Sequence, residues 1–349
     1  MPADPKHIVV IRLSSIGDIL LATPLLRVLR RRFPATRIDG IVKTAYADLL
    51  RTNPHIDHLW TLDPARGRAG LETLGETLAA LSCDLVIDIH KNFRSLALRR
   101  HIRSARAVVL KKYYLKRWLL VKTGWNLYRD VVPVHRRYID TVSAWGVRDD
   151  GQGLEFYVDP AAAVPMRARL APLLQGRRVV GMAPGAGFAT KRWPAENYLQ
   201  LARRMLQEQG AAVMLLGGPG DAGITAAISA ELGAGVHDLA GQLSLMESAA
   251  ALTHCDLLVT NDTGLMHLAS ALQVPLLALF GPTTRELGFF PLGTRSRVLE
   301  VEALSCRPCT HMGNHRCPKK HFRCMREITV DVVASCVVEE LRQPVIPIL

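Results

Sequence analysis

What most constrains this chain is a recurring unit. A short run of Val, Leu and Ile ends in a small or polar elbow, and a segment of helical period follows. The first half carries "HIVVIRL" (7–13), "IDGIVK" (38–43), "HLWTL" (58–62), "DLVIDIH" (84–90) and "AVVLK" (107–111). The second carries "RVVGMAP" (178–184), "AAVMLLGGP" (211–219), "DLLVTND" (256–262) and "PLLALFG" (275–281). Continuous apolar runs suit parallel strands buried on both faces, and intervening helices such as "AENYLQLARRMLQEQG" make βαβ units. Two such sets in 349 residues predict an α/β fold of two doubly wound domains facing each other across a cleft. The join is expected near "FYVDPAAAVP" (156–165), giving domains of 1–160 and 161–349, with a terminal helix at about 329–342 able to pack back on the first domain.

Open parallel sheets bind ligands beyond the carboxyl ends of their strands. The elbows there are "RLSSIGD" (12–18), "APGAGFATKRWP" (183–194), "GGPGD" (217–221) and "NDTG" (261–264), small and polar enough for close backbone approach. After "NDTG", the apolar Leu265, Leu268, Ala269 and Leu272 share one helix face. Thr263 and His267, four apart, lie on another, which predicts His267 on the exposed side near a helix N-terminus, an anion-binding position. The alternative is that Asp262 is an N-cap and His267 an ordinary surface residue.

Charge is unevenly placed. The chain's formal net charge is +13, yet residues 91–137 alone hold 14 Lys and Arg against one acid, Asp130. An anionic partner is the physical expectation, with a solvated basic face as the alternative. No apolar stretch approaches the roughly 20 residues a bilayer span needs, and "MPADPKHIVVIR" does not read as a signal peptide. A cytoplasmic location with reduced cysteines is expected. Cys306, Cys309, Cys317 and Cys324 fall within 19 residues. They are candidates for a structural zinc or remain free thiols.

"RLSSIGDILLATPLLRVLRRRFP" (12–34), "KRWPAENY" (191–198) and "NDTGLMHLASALQVPLLALFGPT" (261–283) resemble the glycosyltransferase family 9 heptosyltransferases of lipopolysaccharide core assembly, in the same order along nearly the whole chain. The resemblance implies a GT-B fold of two Rossmann-like domains, with the nucleotide sugar on the C-terminal one. It implies inverting transfer of heptose from ADP-heptose, with no cofactor in the chemistry. Matched position by position, Asp262, Thr263, Gly264 and His267 fall on the diphosphate motif, with Asp262 orienting its loop. Lys191 falls on the lysine that offsets charge on the leaving ADP. Gly187 lies in the same loop. Asp221 stands where relatives usually carry Glu toward the ribose, and Leu243 where the backbone lies near adenine. Asp18 falls on the proposed catalytic base, with a helix N-cap as the alternative. Thr23-Pro24 offers a rival helix start that would leave Asp18 free in a turn.

The implied acceptor is an anionic lipid A–Kdo or heptosylated core in the inner leaflet of the inner membrane. This makes the enzyme peripheral to that membrane, with Arg94, Lys111, Lys112, Lys116 and Arg117 meeting the acceptor's anions and Leu115, Trp118, Leu119 and Leu120 dipping into the interface. Aromatics among basic residues also suit nucleic acid, but no nucleic-acid motif is present and none is expected as partner. A nicotinamide oxidoreductase lacks its G-x-G-x-x-G after strand one. The expectation is addition of the second or a later heptose. A family 9 transferase using another nucleotide sugar is the alternative.

Overall fold

The computed structural model describes residues 2–102, 104–174, 176–293 and 295–344. Contacts divide the chain into two compact units, Met1–Lys112 with Val132–Tyr157, and Tyr113–Val131 with Val158–Leu349. The division near residue 157 falls beside the expected join. It also assigns Tyr113–Val131, expected within the first domain, to the second unit.

The first unit holds β1 (His7–Ile11), α1 (Ile16–Leu20), α2 (Thr23–Arg32), β2 (Arg37–Lys43), β3 (His58–Leu62), α3 (Gly67–Ala79), β4 (Leu85–Asp88), α4 (Phe93–His101) and β5 (Arg106–Val109). The strands pair in parallel in the order β3-β2-β1-β4-β5. Val9 and Ile11 of β1 pack with Val86 of β4 and with Leu98 and Ile102 from and just after α4. α5 (Tyr114–Thr123) falls in the second unit, and α6 (Val134–Ile139) returns to the first. The Arg27 guanidinium of α2 is buried and fastens the segment after α6, pairing with Asp150 at 2.8 Å and Glu155 at 2.7 Å.

The second unit continues with α7 (Pro160–Leu170), β6 (Val179–Ala183), α8 (Ala195–Gln209), β7 (Ala212–Leu215), α9 (Ala222–Leu232), β8 (Val236–Asp238), α10 (Leu245–Leu252), β9 (Leu257–Asn261), α11 (Gly264–Ala271), β10 (Leu276–Phe280), β11 (Ser296–Glu300), α12 (Arg323–Arg326) and α13 (Val330–Leu341). Its parallel sheet runs β11-β10-β9-β6-β7-β8. The terminal helix α13, which the sequence leaves able to pack back on the first domain, contributes to the core of the second unit. Val333 and Val337 pack into the second core with Val180, Met205 and Leu257, because its apolar face finds α8 and the sheet nearby.

Both sheets reverse direction once. From β1 the chain winds outward through β2 and β3, then crosses to the other side for β4 and β5. In the second sheet the reversal lies between β6 and β9. At such a switch point the two adjacent loops leave for opposite faces, opening a crevice at the strands' carboxyl ends.

Candidate functional site

At the second switch point, the loops after β6 and β9 are tied to each other. The buried Asn261 ends β9, and its Nδ2 donates to the carbonyls of Pro184 at 2.9 Å and Gly185 at 3.1 Å. Its Oδ1 accepts from the Trp193 N–H at 3.0 Å. Asp262 follows. It pairs with Lys191 Nζ at 2.7 Å and accepts from Thr283 Oγ1 at 3.0 Å. Lys191 and Asp262, both expected at the donor site, are thus brought together. Asp262 is not a cap, because the N-cap of α11 is Thr263 and the Asp262 carboxylate is committed to Lys191 and Thr283.

His267 departs from expectation. It is only 4% exposed, and every residue from Met266 to Ala271 is buried. The polar side inferred from spacing does not face water, because α10 packs on α11 from one side while β9 and β10 pack from another. Asp221 reaches back to the same crevice. Its Oδ2 accepts from the Gly218 N–H at 3.0 Å, and a Cβ on Gly185 would come within 2.1 Å of its carboxylate. Only glycine fits position 185 in this arrangement. Gly187 is exposed with open space above it, and Leu243 is half-buried in the loop before α10.

The cysteine-bearing segment braces these loops. Arg307 donates to the carbonyls of Gly281 at 2.5 Å and Thr283 at 2.8 Å, and pairs with Glu300 at 2.6 Å. Asn314 exchanges hydrogen bonds with Thr190, the residue before Lys191, at 2.8–3.1 Å. The four thiols are free. Burial and neighbouring thiols push Cys309 and Cys324 up, Cys324 to about 11. Cys306 Sγ lies 3.8 Å from His321 Nε2, but among the described residues no three His, Cys, Asp or Glu side chains are grouped as ligands of one ion.

At the first switch point stands Asp18. It is not free in a turn. It occupies the third position of α1, where its carboxylate accepts from Ser15 Oγ at 3.0 Å and, more weakly, from the Ser15 N–H at 3.4 Å. Thr23-Pro24 does start a helix, but a second one, α2. Arg12, one residue past β1, pairs with Asp18 Oδ1 at 2.6 Å and donates to the Ile89 carbonyl beyond β4 at 2.7 Å, so it spans the switch. The Tyr138 hydroxyl donates to Asp18 at 3.3 Å, and its ring lies under the Arg12 guanidinium at 5.4 Å. Burial alone would raise the Asp18 carboxyl. Arg12 and the Ser15 hydrogen bonds outweigh it and hold the group below the usual carboxylate range. Arg12 stood in the quoted "RLSSIGD"; a lone charge ending an apolar strand was the signal for it.

The basic segment is split. Arg94 is exposed on α4 and Lys111 is exposed after β5, whereas Lys112 Nζ donates to the Lys91 carbonyl at 3.1 Å. In α5, Lys116 stacks over the rings of Tyr113 at 5.5 Å and Tyr128 at 5.9 Å, and Arg117 over Tyr114 at 5.3 Å. Leu115 at 67%, Trp118 at 56% and Trp125 at 68% exposure stand out from this surface. Leu120 does not join them, because it is turned inward as the buried residue of α5. No helix among the described residues is long and apolar enough to cross a membrane.

Comparison with known proteins agrees with this layout. The family model "Glycosyltransferase family 9 (heptosyltransferase)" matches residues 72–320. Lipopolysaccharide heptosyltransferase 2 of Escherichia coli K12 is 29% identical over 313 residues, 84% of this chain and 88% of the relative. The structure of a family 9 glycosyl transferase from Veillonella parvula superposes with a TM-score of 0.82 at 26% identity, covering 98% of each chain. That of E. coli ADP-heptose lps heptosyltransferase II gives 0.71 at 23% identity, covering 96% of this chain and 98% of that one. With its two parallel sheets this chain has the GT-B fold, and it belongs to glycosyltransferase family 9, the heptosyltransferases.

Proposed function

We propose that this enzyme transfers heptose from ADP-heptose to an acceptor of the lipopolysaccharide inner core, adding the second or a later heptose with inversion. The observation that carries it is the placement of Asp18 at one switch point and the Lys191–Asp262 pair at the other. The printed names of the relatives supply the sugar and the acceptor class.

In this reaction the acceptor hydroxyl attacks the anomeric carbon of the heptose. The C–O bond to the β-phosphate breaks, and ADP leaves with the electron pair. The acceptor proton passes to the Asp18 carboxylate. Because Arg12 and Ser15 keep that carboxylate ionised, it is available as a base throughout the neutral range. Lys191 turns its ammonium from Asp262 toward the charge growing on the departing diphosphate, and Thr263, Gly264 and His267 supply the start of α11 to the same group. Asp221 and Leu243 belong to the nucleoside side of this site. No metal takes part.

The acceptor is membrane-anchored, so the enzyme works at the inner leaflet, peripheral to the membrane and on its cytoplasmic side. The exposed Leu115, Trp118 and Trp125 among Lys111, Lys116 and Arg117 match an anionic lipid surface. A panel of nucleotide sugars assayed against a lipid A–Kdo acceptor tests the reading. ADP-heptose should give the highest kcat/KM. A higher value for another donor would transfer the assignment to that sugar.

A further inference from the structure

The first switch point holds more than Asp18. Four neighbouring strands, β2, β1, β4 and β5, end there side by side, spaced about 4.8 Å apart. Each delivers a basic or imidazole group just at its carboxyl end: Lys43, Arg12, His90 and Lys112. The acids among them are already satisfied. Asp18 is paired with Arg12. Asp88 accepts from Ser95 Oγ at 3.0 Å and from the N–H groups of His90 at 3.1 Å and Lys91 at 2.8 Å. The crevice therefore carries net positive charge.

His90 adds a directed donor. Asn92 Oδ1 accepts from the Ser95 N–H at 2.9 Å, which fixes the amide so that Nδ2 faces His90 Nε2 at 2.7 Å. A donor facing Nε2 makes Nε2 the acceptor, so the neutral ring carries its hydrogen on Nδ1. The ring is neutral at physiological pH, because burial first, and then the charges of Arg12, Lys112 and Lys43, push it down to about 4. Its Nδ1–H is buried and has no hydrogen-bond partner. A buried donor without a partner, in a positive crevice beside the candidate base, is costly unless a ligand completes it.

We propose that His90 Nδ1–H, Lys43 and Lys112 form an oxyanion-binding site at the switch point of the first sheet, and that its ligand is an anionic group of the acceptor held next to the hydroxyl that Asp18 deprotonates. This rests on the transferase reading above and adds to it the residues that set the acceptor's register.

The test is calorimetric binding, without donor, of two soluble probes: a Kdo disaccharide, and a bisphosphorylated glucosamine disaccharide. Wild type, Lys43→Gln, Lys112→Gln, His90→Ala and the control Lys6→Gln, at the opposite end of β1, are compared, with thermal unfolding confirming each fold. Each site variant should bind one probe about tenfold more weakly. Loss for the Kdo probe identifies a carboxylate, and loss for the bisphosphorylated probe identifies a phosphate. In transfer assays acceptor KM should rise by a similar factor while kcat and donor KM hold. Unchanged binding of both probes in Lys43→Gln and His90→Ala overturns the site. Absence of heptose transfer by wild type would instead remove the transferase reading, and the binding data would still judge this site.

Discussion

In the proposed transfer Asp18 is the base, and Arg12, paired with it at 2.6 Å, is the residue that tunes it. A depressed carboxyl is base-competent above its own pKa and lost as pH falls through it. In wild type the acid limb of kcat/KM from Asp18 should therefore lie below the usual carboxylate range. In Arg12→Gln the lowering partner is gone while burial still raises the group, so that limb should move upward toward neutrality. An acid limb that stays put in Arg12→Gln would show that Arg12 does not set the Asp18 charge. His267 offers a second residue-scale check. His267→Ala should weaken ADP by roughly tenfold in calorimetry. Equal affinity would remove it from the diphosphate site. Sequence spacing placed His267 near the start of a helix but on the wrong surface. Helical period reports which residues share a face, not whether a neighbouring helix covers the other one.

At the scale of elements, the loops at the second switch point depend on a segment far along the chain. Arg307 holds the carbonyls of Gly281 and Thr283, and Thr283 holds Asp262, which holds Lys191. Arg307→Gln should raise the Kd for ADP and lower Tm together, since it frees the carbonyls of Gly281 and Thr283 at once. A lowered Tm with unchanged ADP affinity would confine Arg307 to stability. Helix α5 carries the membrane prediction. Changing Lys111, Lys112, Lys116 and Arg117 to Gln removes cations worth about 1 kcal/mol each at an anionic surface. Flotation with anionic liposomes should drop sharply while ADP binding holds, and unaltered flotation would leave α5 as a solvated face. Elements were the most legible scale from sequence. All nine apolar runs became parallel strands. The two not anticipated, β8 and β11, are short or half-buried strands at the edge of the second sheet, where the continuous apolar pattern fades.

Across the whole molecule, each unit has its own core, its own sheet and its own switch point. The order of strands cannot be read from a run of residues. It follows from the crossovers, and so the pairing of Arg12 with the β4 loop, or of Asn261 with the β6 loop, appears only when the sheets are assembled. Stability in the first unit leans on Arg27. Arg27→Met would leave Asp150 and Glu155 without their buried partner and should cost about 3–5 kcal/mol in denaturant unfolding. A cost under about 1 kcal/mol would assign the clasp to the surface class of ion pairs. Asp150 is held well below the ordinary carboxylate range, by its Arg27 hydrogen bond above all, so this contribution is present at neutral pH and is lost on acidification.

The division of labour between the two switch points is tested most directly by Asp18→Asn, measured for heptose transfer and ADP affinity in the same preparation. The substitution keeps the shape of the side chain and removes the base from the first unit, leaving Lys191, Asp262 and His267 in the second untouched. Turnover should fall by about two to four orders of magnitude with the ADP Kd unchanged. Turnover retained within a few-fold of wild type would contradict Asp18 as the base, and with it the assignment of the chemistry to the first sheet's switch point.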